Sequence, residues 1–381
     1  MAMQGGIAVS HLIGAATGAV GLLTCLVERR IRKPSFLHLL FGGLVAWSGL
    51  TYFWSVAPEL TAVRVGSYVQ LLLMIWLIWE FAPNESRQLA LVQAYVLGSY
   101  VSALSIIYSF VTGTGDNLGI VEGRYSASGF NENEIGIILA LSLGMSCYLL
   151  AKNAALQAIW LLHLPVAVLA ICLTGSRGSF LATLVALLML PFGFANLSAT
   201  QKRFALSGLV LIALSGIAFV PEPTWKRIGS IGQEVSEGTL TKRTYIWDAG
   251  LAVCREHPIA GVGAGAFGAS VYSKLDIPYV AHNSYLSVLV ELGAVGAILF
   301  LALLAGLFWS AARLPSVDSR GWIILLLTWA VAVFSVTWEH RKPTWFLFGL
   351  LIAQAAVHRL RPVPALAVRL GSSPALRQAE R

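Results

Sequence analysis

Charge is scarce in this 381-residue sequence. Asp, Glu, Lys and Arg supply 12% of the chain, about half of the roughly 25% usual for a soluble domain. A water-covered globule of this length is excluded, because too few charged side chains exist to cover it. Cysteine is equally sparse. Cys25, Cys147, Cys172 and Cys254 show no paired or metal-ligand spacing, and three lie in apolar runs. Neither a disulfide framework nor a zinc site is expected. No repeat at a fixed period is present, which excludes a solenoid. The glycine-rich stretch "GVGAGAFG" (261–268) lacks the Gly-Lys-Ser/Thr ending of a P-loop and follows no βαβ pattern, so nucleotide binding is not expected. The net charge of +8 forms no basic stripe interleaved with aromatics, so no nucleic-acid partner is expected. In an apolar chain, excess Lys and Arg serve first to set orientation.

What the sequence does have is apolar length: 57% of its residues are hydrophobic. A crossing needs roughly 20 such residues. The expected fold is therefore all-α, a polytopic integral membrane protein with spans near 7–27, 36–54, 62–82, 88–111, 132–151, 155–174, 178–195, 203–220, 283–311, 321–338 and 344–358. Of these, 36–54 and 178–195 are the weakest. The N-terminus lacks a basic n-region, so 1–26 reads as a first span or signal anchor and not as a cleaved leader.

Four segments follow: N-terminal spans in 1–220, a long connection at 221–282, C-terminal spans in 283–358, and a basic tail at 359–381. The tail, rich in Pro, Ala and Arg, is expected to be disordered and cytoplasmic. Alternate connections carry "ERRIRK" (28–33), Arg87, Lys152, "QKR" (201–203), Arg313 and Arg320. That side is cytoplasmic by the positive-inside rule. The N-terminus and the long connection then face outward, toward the periplasm of a double-membrane bacterium.

Several basic residues oppose that rule. Arg124, Arg177, Arg341 and Lys342 lie on short outer loops, and Arg64 opens a span from the outer side. The long connection adds Lys226, Arg227, Lys242, Arg243, Arg255 and Lys274. Local pairing with Glu122, Glu134, Glu256 and Glu339 explains some of them. For the set, a shared anionic ligand at the outer surface is favoured, since the arginine fork matches phosphate oxygens.

Local patterns refine this. Asn131 followed by Glu134 predicts a capping box. "TGSRGS" (174–179) predicts a tight turn made by Gly175 and Gly178, with Arg177 either snorkelling to headgroups or binding an anion. "TLTKRTYIWDAGLAVCREHP" (239–258) predicts an amphipathic helix stopped by Pro258, with Arg243, Trp247, Leu251 and Cys254 at helical spacing and Ile246, Gly250 and Val253 beside them. It reads as an interfacial helix with Trp247 at headgroup depth. "GVGAGAFG" is expected to be a flexible loop that allows close backbone approach.

In "VAHNSYLSVLVELG" (280–293), Ser284, Ser287 and Glu291 share a helical face. Glu291 lies roughly 13 Å below the helix mouth, where an ionisable group is either a packing group or a functional one. His282 at the mouth is either an interfacial histidine beside a capping Asn283, or a general base.

The ordered set "WSV-PE" (54–59), "GRYSASGFNENEIG" (123–136), "GSRG" (175–178), "R-Y-W…EHPIAGVGAGAFG…HNSYL…ELG" and "EHRKPTW" (339–345) resembles the O-antigen ligase and O-antigen polymerase superfamily of bacterial membrane glycosyltransferases. The likeness spans about 50–350. It implies a GT-C-like fold at the inner membrane with its active site facing the periplasm. It also implies transfer of a glycan from undecaprenyl diphosphate to a hydroxyl of the lipid A core, with no cofactor and no metal. The family's key residues fall on Arg177, Arg243 and His282. The arginines would hold the diphosphate, with Arg124 and Arg341 as further candidates, and the histidine would activate the acceptor. The partners implied are the lipid-linked donor, the lipid A core acceptor and membrane lipids. Eleven spans are one fewer than the twelve typical of such ligases. An O-antigen polymerase is the nearest alternative. A lipid or polysaccharide transporter is the alternative of another class, and would predict related halves and broken spans near mid-membrane. No related halves are present.

Overall fold

The computed structural model describes residues 4–29, 31–114, 123–127, 129–204, 206–208, 210, 222–230 and 243–360. Among the described residues the chain is all-helical. The elements are α1 (Gln4–Glu28), α2 (Phe36–Leu50) with a 3-10 turn Thr51–Trp54, α3 (Pro58–Phe81), α4 (Glu85–Thr112), α5 (Glu132–Ala151), α6 (Gln157–Thr174), α7 (Arg177–Leu187) and α8 (Leu190–Ala195). They continue with α9 (Glu222–Gly229), α10 (Arg243–Glu256), α11 (Phe267–Leu275), α12 (Ser284–Ala312), α13 (Ser316–Ala332) and α14 (Lys342–Leu360).

Seven described helical segments are long and apolar enough to cross a bilayer. They match the predicted spans between 36 and 195 and the span at 283–311. Leu12–Glu28 is shorter, and α13 has 17 residues. Most of the predicted span 203–220, and the tail beyond 360, lie outside the described residues. Helices are the form such segments must take, because hydrocarbon offers no partner for a free backbone group.

The predicted span 178–195 is two helices, α7 and α8, separated at Leu188–Met189 ahead of Pro191. The long helix α5 is apolar all round, and 89% of its apolar window is buried. That is the signature of a central helix. It packs against α4, α6, α7 and α13. The other spans leave many large apolar side chains exposed, among them Val63, Val101, Ile298 and Leu301, as lipid-facing helices do.

Polar groups collect at two opposite ends. At one end Lys152 pairs with Glu85 at 2.5 Å and Asp318 at 2.9 Å, and Tyr148 donates to Asp318 at 2.7 Å. Arg32 N donates to Glu80 at 3.0 Å at the start of α2. These are the connections with topogenic basic residues. Between the ends, the buried His163 is held by Ser99 and Ser146 at 2.8 and 2.9 Å. The other end carries the starts of α3, α5, α7, α12 and α14, together with α10 and α11. There a second small core forms from Ile246, Val253, Phe267, Val271 and Val290.

One span departs from its sequence. The apolar run of α12 is broken at Gly293 (φ 65, ψ −167). Pro258–Gly263 fills the break. Val262 N and Gly263 N donate to the carbonyls of Val290 and Glu291 at 3.1 and 2.9 Å, and Ala294 N donates to Pro258 O at 2.9 Å. On its other side this segment is joined to the 51–56 turn, where Val56 N donates to Val262 O at 3.0 Å and Ala264 N to Thr51 Oγ1 at 3.1 Å. Irregular backbone survives at that depth because protein surrounds it. "GVGAGAFG" is therefore a pinned wedge and not a flexible loop. The expected close approach is real: a side chain on Gly261 would lie 2.4 Å from Glu291 O.

Candidate functional site

His282 is held from both sides. After it, Asn283 caps α12, its Oδ1 accepting from Tyr285 N at 2.9 Å and Leu286 N at 3.1 Å. Before it, Ala281 O accepts from Trp247 Nε1 at 2.9 Å. His282 itself has φ 48, a left-handed conformation uncommon outside Gly, Asn and Asp that the neighbouring contacts must maintain. Burial, and then the charge of Arg243, lower its pKa below the ordinary value. The imidazole is therefore neutral near pH 7 and keeps a nitrogen able to accept a proton.

The same contacts refine the reading of α10. Its buried face is Ile246, Ala249, Gly250 and Val253, the row beside Arg243, Trp247, Leu251 and Cys254, and Leu251 is exposed. Trp247 braces the histidine loop.

Arg177 is the first residue of α7. Gly175 makes the preceding turn with φ 57. Gly178 does not share that task. Its missing side chain makes room for Ser335, whose Oγ lies 1.9 Å from where a Cβ would be. The Ser335 segment is tied in turn to the mouth of α12: Ser284 N donates to Val333 O at 3.0 Å, and Ser284 Oγ donates to Val336 O at 3.1 Å. Arg243 is the first described residue of α10. A cation at a helix N-terminus is unfavourable to the helix dipole unless an anion is shared. Two arginines open helices at this one end.

Arg243 is near enough to His282 for its charge to act on the imidazole, and α7, which Arg177 opens, meets the 333–338 segment where Gly178 packs on Ser335. Arg124 and Arg341 have protein partners. Arg124 donates to Thr174 O and Asn133 Oδ1, both at 3.0 Å, and lies 3.6 Å from Glu132. It braces the turn that presents Arg177. Arg341 pairs with Glu134 at 2.5 Å, so Glu134 does not close the predicted capping box. Asn131 caps α5 by accepting from Asn133 N at 2.9 Å. Among the described residues no three His, Cys, Asp or Glu side chains gather into a group able to hold a metal ion.

A second cluster lies beneath His282. Arg64 on α3 contacts Glu339 at 3.1 Å and Glu291 at 3.7 Å. Glu291 also accepts from Gly265 N at 2.6 Å and Ser287 Oγ at 3.3 Å. Burial alone would raise the Glu339 carboxyl. The His340 ring, 3.2 Å away, and the Arg64 charge outweigh it and hold that carboxyl well below the usual carboxylate range. The sequence carried a signal for each member: Arg64 on the wrong side for topology, and Glu291 inside an apolar run. Nothing in the sequence linked them. Beside the cluster lies a cavity of about 220 Å³ whose lining includes Arg64, Glu291, Ser287, Thr337 and Ala281.

The family model described as O-antigen ligase matches residues 162–301. That stretch contains Arg177, Arg243, His282, Glu291 and the break in α12. The exopolysaccharide production protein ExoQ of Rhizobium meliloti (strain 1021) is 25% identical over 296 residues, 71% of this chain. The match covers 64% of that relative, so the chain spans just under two thirds of its length.

Proposed function

We propose that the chain, whose residues 162–301 match the family model described as O-antigen ligase, is a membrane glycosyltransferase. It takes a glycan from undecaprenyl diphosphate and joins it to an acceptor hydroxyl at the periplasmic face of the inner membrane. The observation that carries this reading is the position of His282, held in a left-handed conformation at the capped mouth of α12 at the same end where Arg177 opens α7 and Arg243 begins the described part of α10.

As the acceptor oxygen attacks the anomeric carbon, His282 accepts its proton. The bond from that carbon to the diphosphate oxygen breaks, and charge accumulates on the leaving group. Arg177 and Arg243, with the positive ends of their helices, stabilise that charge. Arg124 and Arg341 act at the rim, Arg124 by holding the turn that carries Arg177.

The family description, O-antigen ligase, favours ligase chemistry, for which the acceptor in this proposal is the lipid A core. The relative named for exopolysaccharide production favours the second reading, a polymerase that joins lipid-linked repeats. The break in α12 is a feature the transporter alternative also predicts, but the 258–263 wedge occupies it and the arginines that oppose the topogenic pattern gather at one end. The deciding experiment is reconstitution with a lipid-diphosphate glycan and two competing acceptors, lipid A core and a second lipid-linked repeat. Product on either acceptor identifies the activity. Arg177→Ala and His282→Ala are expected to insert normally and form no product; product from either at the wild-type rate removes these assignments.

A further inference from the structure

The cavity beneath His282 has a chemistry distinct from the arginine site. One guanidinium, Arg64, is shared by two carboxyl groups, Glu291 and Glu339. The cavity therefore lacks the surplus positive charge that a diphosphate needs. It offers donors and acceptors together: Arg64 donates, Glu291 accepts, and the Thr337 hydroxyl does both. Phe267 and Tyr279 add ring surface to the lining.

Thr337 Oγ1 is the telling atom. The residue is only 8% exposed, lines the cavity, and has no hydrogen-bond partner. A buried hydroxyl left unpaired costs about 1–3 kcal/mol, so such a group in a residue of the cavity wall marks a place for a ligand's own hydroxyl. The rim is open, since Leu60 and Val280 are about half exposed. The wall ends at Ala281, the residue before His282. A few convergent polar groups on an otherwise apolar wall are the usual make-up of a small-molecule site.

We propose that this cavity is the acceptor subsite, which receives a neutral sugar ring and presents one of its hydroxyls to His282. The proposal rests on the glycosyltransferase reading above. The hydroxyls of the ring satisfy Thr337 and the Arg64–Glu291 pair, while Tyr279 and Phe267 flank its apolar edges. The diphosphate stays outside, with Arg177 and Arg243. A pyranose could also come from the donor glycan, and the experiment separates the two sources.

The test uses the full chain in lipid nanodiscs, with methyl β-D-glucopyranoside and methyl β-D-galactopyranoside as probes read by saturation-transfer NMR. At least one pyranoside is expected to bind. Thr337→Val, which removes a hydroxyl at nearly constant volume, is expected to weaken that binding about three- to tenfold, the range of a single hydrogen bond. Ala269→Phe, which fills the cavity without touching a polar group, is expected to abolish it. Arg177→Ala is expected to leave it unchanged, and undecaprenyl diphosphate is expected not to displace the sugar.

Absence of binding by both pyranosides would overturn the proposal. So would retention of full binding by both cavity variants, or displacement of the sugar by undecaprenyl diphosphate, which would place the cavity on the donor side. The transfer assay with His282→Ala fails or succeeds independently. Sugar binding together with an active His282→Ala enzyme removes the catalytic reading and leaves the cavity a sugar site.

Discussion

The role proposed for His282 depends on its surroundings. Its pKa is pushed down, first by burial and then by Arg243. A histidine with a lowered pKa is neutral, and able to act as a base, above that value; it loses the ability as pH falls through it. Transfer activity should therefore rise along an acid limb whose midpoint lies below about 6.5, the ordinary histidine value. A pH profile of kcat/KM with its midpoint at or above that value would contradict the assignment. Trp247 supports the same residue at one remove through its bond to Ala281 O. Trp247→Phe keeps the packing and removes the donor, a loss of about 0.5–1.5 kcal/mol. It should lower kcat with little change in unfolding temperature, whereas an equal fall in both would make Trp247 a packing residue only.

At the scale of elements, the break in α12 organises this end of the molecule. Gly293 has φ 65, and a side chain there would lie 2.2 Å from Ile259 O. Gly293→Ala meets both a strained backbone, which costs about 1–3 kcal/mol, and a collision with the wedge. Poor folding yield and a lower unfolding temperature are expected, and a wild-type melting curve would refute the account of the break. Asn283 caps the first turn of the same helix with two hydrogen bonds. Asn283→Ala should cost about 0.5–2 kcal/mol and should also loosen the histidine that precedes it. Thermal unfolding and transfer rate, measured together, check both effects.

Across the whole molecule, the two polar ends have different consequences. Arg64 joins α3 to α12 and to the 333–341 segment through two buried carboxyl groups. Removing one partner from a buried ionic group costs about 3–5 kcal/mol because the charge left behind has no partner. Arg64→Ala should therefore lower stability strongly, read as a loss of folded protein in a denaturant titration. At the opposite end Asp318 accepts from Tyr148 and pairs with Lys152. Asp318→Ala should lower stability too, yet leave the pH midpoint of transfer where it was, because it lies at the far end of the spans from His282. A shifted midpoint would show that the two ends communicate.

The sequence by itself determined the membrane fold, the approximate limits of most described helices, the two ends at which polar residues gather, and the basic residues that oppose the topogenic pattern. Each of these depends on local apolar length, capping chemistry or the distribution of charge along the chain, which can be read without knowing what touches what. Asn131 and Asn283 were legible as caps for that reason. The break at Gly293 was not, because the run from Ser284 to Ala312 stays apolar through it, and only the Pro258–Gly263 wedge explains the glycine. Glu134 was drawn to Arg341, 207 positions away, in preference to its own helix start. Arg64 found Glu339 at a separation of 275 residues. Ionic pairing, backbone exchange between distant segments and the cavity beneath His282 depend on which surfaces the packed helices bring together. Only the tertiary structure decided those.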